Sequence, residues 1–283
     1  MKNIWVIYVL LYLVLYVTYT QYYKIATKKC NNTSALTVLL RFTSGISILL
    51  ALPFFHFKIP HNIITYIFLG LACIFFALSD RMYTASYKEL EVSTYSVLAQ
   101  SSTVFIFVLG IVFFKETIII KRIIGALLIL FANILVLYKK KKFVWNKYYL
   151  YNIIANLSFA IGTTLDIGIS DQFNLPFFVA IVFCMSSVLI FIFERIKISD
   201  IKKEYYEGNK KAIIIVSLLD GITSLFMLRA YQLESVTLLA PLFSLKTILN
   251  VFVAHFVLKE NDSIFKKIIA AIIIVIGVIL INM

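Results

Sequence analysis

Residues 110–130 read GIVFFKETIIIKRIIGALLIL: an apolar run, a Lys-Glu, a short polar interval, a basic pair and a second apolar run. Residues 254–280 read AHFVLKENDSIFKKIIAAIIIVIGVIL and repeat that order. A shift of 144 positions lays Ser86-Tyr87 on Ala230-Tyr231, Val92-Ser93 on Val236-Thr237 and Lys115-Glu116 on Lys259-Glu260. One extra residue then brings Lys121-Arg122 onto Lys266-Lys267 and Gly125-Ala126 onto Ala270-Ala271. Polar positions matched at a fixed offset mark an internal repeat, which a shared apolar composition alone does not explain.

The surrounding composition fixes the solvent. Of 283 residues 61% are hydrophobic and 14% charged, with 25 Phe and 17 Tyr. A soluble domain carries roughly 25% charged residues, so this chain has too little polar surface to cover a globule. Its apolar runs have the length that spans about 30 Å of hydrocarbon as helix, and they lack the alternation of a barrel strand. Spans are predicted at 4–20, 35–54, 63–84, 92–114, 121–138, 149–169, 175–193, 212–230, 236–257 and 268–282. The segment 4–17 is not followed by a small-residue cleavage site, so it reads as the first span and not as a leader.

Ten spans and one repeat divide the chain into residues 1–138, a basic link at 139–148, and residues 149–283. Five helices per copy is an odd number, so the copies are expected to lie in opposite orientations. That architecture recurs in alternating-access transporters, which bind substrate near the midplane between their halves. The fold class expected is an all-α integral membrane protein.

Several chemistries find no support. Cys30, Cys73 and Cys184, like His56, His61 and His255, are scattered and form no metal or redox motif. No P-loop, no catalytic motif and no cofactor fingerprint appears. The net charge of +13 reads as loop lysines held on one side of a bilayer, not as a nucleic-acid surface.

The repeated stretches, with APLFSLKTILNVFVAHFVLKE ahead of the second corner, resemble the EamA group of the drug/metabolite transporter superfamily. The resemblance implies a proline near the start of the fourth helix of each repeat, a Glu at its end and a glycine in the fifth. Pro241, Glu260 and Gly277 match in the second half, and Glu116 and Gly125 in the first, where Val97 replaces the proline. It implies a multi-pass carrier of the cell (inner) membrane, with amino acids and related small metabolites as the leading substrates. It also implies that both termini face the cytoplasm. The charge count points the other way: loops on the side of the N-terminus hold six Lys or Arg and the opposite loops nineteen, which places the termini outside.

Charges inside hydrocarbon are costly and mark a cavity or a partner. Asp220 and Lys246 sit near the middle of adjacent spans and are expected to pair, either as a structural lock or as a group that opens to hold substrate. Asp220 is also a candidate proton site. Arg41 either snorkels to the interface or pairs with Asp80 across a vestibule. Asp166 and Arg229 read as interfacial. Tyr95, Gln100 and Ser101 on the fourth span, with Asn156 and Asn250, offer hydrogen bonds to a ligand or between helices. Tyr12 and Tyr16, one turn apart, form an aromatic wall suited to a ring or an organic cation.

Glu116 and Glu260 are expected to clamp the basic pairs across their own turns. The fifth and tenth spans, almost wholly aliphatic, suit lipid or the packing of two copies. Secondary transport of a small polar metabolite is the reading these residues favour. A flippase for a lipid-linked amphiphile and a non-transporting membrane scaffold are the alternatives.

Overall fold

A computed structural model describes residues 4–28, 30–90, 92–137, 147–258 and 264–282, apart from the side chains at 92–97, 136–137, 251–252, 254–258, 264–268, 271 and 282. Lys259-Glu260 and most of the basic link therefore lie outside the described residues. Within them the regular structure is all helical.

The helices are α1 (Ile4–Lys28), α2 (Thr33–Ile48), α3 (Ile63–Glu89), α4 (Val92–Phe114), α5 (Ile120–Leu137) and α6 (Lys147–Ile169). The chain continues with α7 (Leu175–Phe193), α8 (Ile198–Glu207), α9 (Lys210–Tyr231), α10 (Val236–Phe243), α11 (Leu245–Leu258) and α12 (Ile264–Asn282). Among the described residues six helical stretches are long and apolar enough to cross a membrane: α1, α2 with its 3-10 extension to Phe54, α3, α6 with its extension to Gln172, α7 and α9.

Asparagines start many of these helices. Asn32 accepts from the Ser34 and Ala35 amides, Asn174 from Phe177 and Asn209 from Ala212, each satisfying a donor that the first turn leaves open. In α7 Pro176 follows the cap, where its missing N–H is harmless.

Two features depart from the sequence reading. The expected single span 236–257 is broken at Ser244 into α10 and α11. Pro241 removes the amide that would bond the Thr237 carbonyl, and the Ser244 hydroxyl bonds back to the Pro241 carbonyl at 2.6 Å. The polar stretch 194–211 contains a helix, α8, that was not expected. Its Glu204 is buried and accepts from the Asn31 and Asn32 amides at 3.0 and 2.6 Å, fastening α8 under the start of α2.

Packing pairs α3 with α6, α1 with α9, α2 with α7 and α5 with α12. Lipid tails give helices no hydrophobic reason to associate, so small residues that allow close approach carry much of the contact. Gly45 of α2 lies against Cys184 and Ala180 of α7, and a Cβ there would stand 2.6 Å from the Cys184 sulfur. The fifth and last helices were expected at the periphery. Their outer faces are exposed, at Ile124, Leu127 and Phe131 on one and Ile272, Val275 and Ile279 on the other. Their inner faces, however, pack on each other within one chain, with Gly125 against Gly277 and Ile129 and Ile281 sealed at the crossing.

A Cβ at Gly125 would lie 2.6 Å from the Gly277 carbonyl oxygen, a backbone atom that cannot swing away. Gly125→Ala is expected to lower stability by about 1–3 kcal/mol through overpacking. Gly70→Ala, where nothing lies within 4 Å of the new methyl, serves as the control. Thermal unfolding of both variants in detergent checks this; equal melting temperatures would remove the glycine crossing from the packing argument.

Candidate functional site

The centre of the bundle is organised by α2 and α9. Thr43 and Ser217 share a hydrogen bond at 2.6 Å, and the Ser47 hydroxyl donates to the Ser217 carbonyl at 2.8 Å. One turn on, Gly221 lets α9 approach Ile48 and the Ser44 carbonyl, where a Cβ would stand 2.9 and 3.2 Å away. This close approach turns Asp220 toward α2.

Arg41 of α2 receives it. One guanidinium nitrogen, Nη1, donates to Asp220 Oδ2 at 2.8 Å, and the other, Nη2, donates to Asp80 Oδ1 from α3. The guanidinium carbon lies 4.5 Å from the centre of the Phe183 ring on α7. All three side chains are largely withdrawn from the surface, at 16% exposure for Arg41, 4% for Asp80 and 11% for Asp220. Two carboxylates thus share one fork, and the second oxygen of Asp80 has no hydrogen-bond partner. With both acids ionised the trio carries a formal charge of −1.

The expected pairing of Asp220 with Lys246 is therefore not made. The break at Ser244 sets α11 against α1, and Lys246 faces tyrosines. Its Nζ donates to the Tyr12 hydroxyl at 3.1 Å and lies 4.3 Å from the centre of the Tyr16 ring. Of the two readings open for Arg41, the pairing with Asp80 is the one adopted, and Asp220 joins it.

Between the two charged centres runs a tyrosine face of α1. Tyr12, Tyr16, Tyr19 and Tyr23, spaced at four, three and four, follow one another with ring centres 5.3, 5.7 and 5.6 Å apart, the first pair stacked and the others tilted. Phe243 of α10 closes the Tyr12 end at 4.6 Å and Tyr87 of α3 the Tyr23 end at 5.6 Å. Asp220 lies near enough to Tyr16 and Tyr19 to act on them electrostatically. Tyr19 was not singled out from the sequence; its helical spacing from Tyr12 and Tyr16 was the available signal.

Of the remaining candidates, Gln100, Asn156 and Asn250 are engaged in holding helices together. Gln100 donates to Thr247 and accepts from Asn133, which also donates to the Ser244 carbonyl, so this group braces the broken helix. Asn156 accepts from the Tyr83 hydroxyl and donates to Asn152 and to the Leu98 carbonyl. Asn250 accepts from Thr20 at 2.8 Å. The Ser101 hydroxyl turns back to the Leu98 carbonyl at 2.7 Å. The Tyr95 side chain lies outside the described residues. Asn133 and Thr247, which sequence reasoning did not single out, complete the brace.

The first repeated corner also differs from expectation. Glu116 does not clamp its own turn; its carboxylate accepts from the Val236 and Thr237 amides at 2.7 and 2.9 Å and caps the start of α10. Arg122 donates to the Ser235 and Thr237 hydroxyls at 3.0 and 3.1 Å. The clamp closes through the other half of the chain, where the helix N-terminus offers open donors and a positive dipole end to the carboxylate.

Arg41→Ala strands two buried acids and is expected to cost about 3–5 kcal/mol, the usual penalty for removing one partner of a buried pair. Adding Asp80→Asn and Asp220→Asn to it removes the stranded charges and should recover much of that loss. Melting temperatures of the single and triple variants test this, and a triple variant no more stable than Arg41→Ala would count against the charge argument.

No curated protein matches the chain. Twenty-nine chains of solved structures do (29). In one of these, a crystal structure of a protein 14% identical in sequence, the superposition covers 99% of this chain and 96% of that one with a TM-score of 0.72, which is a likeness of fold. The model of the EamA-like transporter family matches residues 3–138 and again residues 146–283. With nearly its whole length matched, the chain belongs to the EamA-like transporter family and is a helical membrane protein.

Proposed function

We propose that this protein is a secondary transporter that moves a small polar metabolite, an amino acid or a related compound, across the cell (inner) membrane by alternating access. In this reading ten spans form two inverted five-helix halves, with residues 139–148 as the link. The two successive family matches and the sequence repeat support it. So does the pairing of α5 with α12, the last helix of each half, across a shared seam.

The observation that carries the reading is the central charge arrangement. A half-buried ammonium, Lys246, is held by tyrosine alone among the described residues, and a net-negative trio stands beyond the same tyrosine face. A zwitterion fits this: its carboxylate would take Lys246, and its ammonium would take the excess acid of Asp80 and Asp220. The rings of Tyr12, Tyr16 and Tyr19 would flank its body, and cation–π attraction adds to the hold on the ammonium. The flat apolar outer faces of α5 and α12 suit lipid, or a second copy of the chain.

Uptake of a radiolabelled amino-acid mixture into proteoliposomes, against empty vesicles, tests the function. Lys246→Gln should weaken apparent affinity about 10- to 100-fold, the worth of one charge-assisted hydrogen bond. Absence of uptake, with no ligand shifting the melting temperature, would favour the scaffold. Scrambling of a fluorescent lipid in the same vesicles would favour the flippase.

A further inference from the structure

Beyond the central site, α6 and its 3-10 extension carry a buried polar stripe. Asn152, Asn156, Thr163, Asp166 and Ser170 recur at intervals of four, seven, three and four, which keeps them on one face. None is more than 4% exposed. Three atoms on this face have no hydrogen-bond partner: Asn152 Nδ2, Thr163 Oγ1 and Asp166 Oδ1.

Asp166 is the exceptional member. Asp80 and Asp220 have Arg41, whereas Asp166 has no cation within ion-pair distance among the described residues. From α3 the titratable group that faces it is the Cys73 thiol. From α4 the nearby contact is apolar, Phe114 against Gly168. Arg229 of α9 is engaged one turn further on, donating to Gln232 at 2.9 Å, and Gln232 donates to Ser170 at 3.1 Å. An ionised carboxylate in such a place would be several kcal/mol uphill. A neutral carboxylic acid is far cheaper to bury. A metal ion needs several oxygen donors, and within about one turn of the acid the stripe offers the Thr163 and Ser170 hydroxyls, the Asn156 and Asn152 amides lying ten and fourteen positions away. The positive ligand that fits is a proton.

One end of the stripe reaches a pocket and the other is buried. Ser170 and Gln232 adjoin a pocket at the end of the bundle lined by His56, Asp171, Arg229 and Gln232. At the other end Asn156 meets the Tyr83 hydroxyl. Asp166 sits about 6 Å along the axis from Ser170 and about 15 Å from Asn156, at 1.5 Å per residue.

We propose that Asp166 is a proton-binding site on a path along α6, loading from and releasing to water at the pocket of His56, Asp171 and Gln232. The proton on its carboxyl leaves to that water and returns from it; no other bond changes. Any coupling of this proton to substrate movement rests on the transporter reading. The binding site itself does not.

Infrared spectra of the purified full-length protein at neutral pH, in H2O and in D2O, test it. The wild type should show a protonated-carboxyl C=O stretch that is missing in Asp166→Asn and present in the Asp80→Asn/Asp220→Asn double variant. In D2O the band should move to lower frequency, since the proton exchanges through the pocket. A wild type without such a band, or a band that Asp166→Asn keeps, overturns the site. If Asp166→Asn does not fold, loss of the band in the double variant overturns it equally. A band unmoved in D2O overturns the path, and a band bleached by sodium at constant pH assigns the site to a metal cation. None of these results depends on uptake, so failure of the transport experiment leaves them standing.

Discussion

One guanidinium sets the constraint on which the centre of this protein depends. Arg41 is reached by carboxylates from α3 and α9, so a single residue on α2 fixes the relative rotation of three helices. In water each contact would be worth little. In a buried site each group is costly alone and affordable only in company, so the helices are held in the one register that keeps all three together. Thr43, Ser47 and Gly221 bring α2 and α9 close enough for this to happen. The unequal count of two acids to one base leaves the trio with a formal charge of −1 when both acids are ionised.

Much of the fold was legible because a bilayer restricts what a chain can do. Runs of apolar residues have few alternatives to helix when every backbone group must be satisfied internally. The bounds of α4 and α7 coincide with the expected spans for that reason. The corner at Lys115-Glu116 was visible through its return at Lys259-Glu260. What the corner touches was not visible: Glu116 reaches α10, 120 positions away, and no local pattern encodes that distance. Pro241 was in view, yet a proline within a span can kink it or break it, and only the Ser244 bond to the Pro241 carbonyl decides between them.

The candidate site was legible as a set of residues and not as a set of partners. Charges inside spans identify themselves by their cost, which brought Arg41, Asp80, Asp220 and Lys246 forward. Neighbours in sequence are poor guides to neighbours in a bundle. Asp220 and Lys246 lie on consecutive spans and face different helices, since α9 packs on α1 and α2 while α11 packs on α1 and α5. Gln100, Asn156 and Asn250 follow the ordinary tendency of amides in lipid to join helices. Asp166 was taken for an interfacial residue from its position near a span end, because the burial supplied by α3 is a property of packing alone.

The seam between α5 and α12 bears on how the molecule is made. A chain enters the membrane from its N-terminus, so α5 is inserted long before its partner exists. Until α12 arrives, the groove over Gly125 and Ile129 stays open to lipid. Closure of the bundle therefore waits for α12, whose Gly277 and Ile281 settle into that groove. A chain cut before α12 would leave this seam unsealed. The arrival of α12 thus separates a bundle with a closed seam from one whose groove still faces lipid.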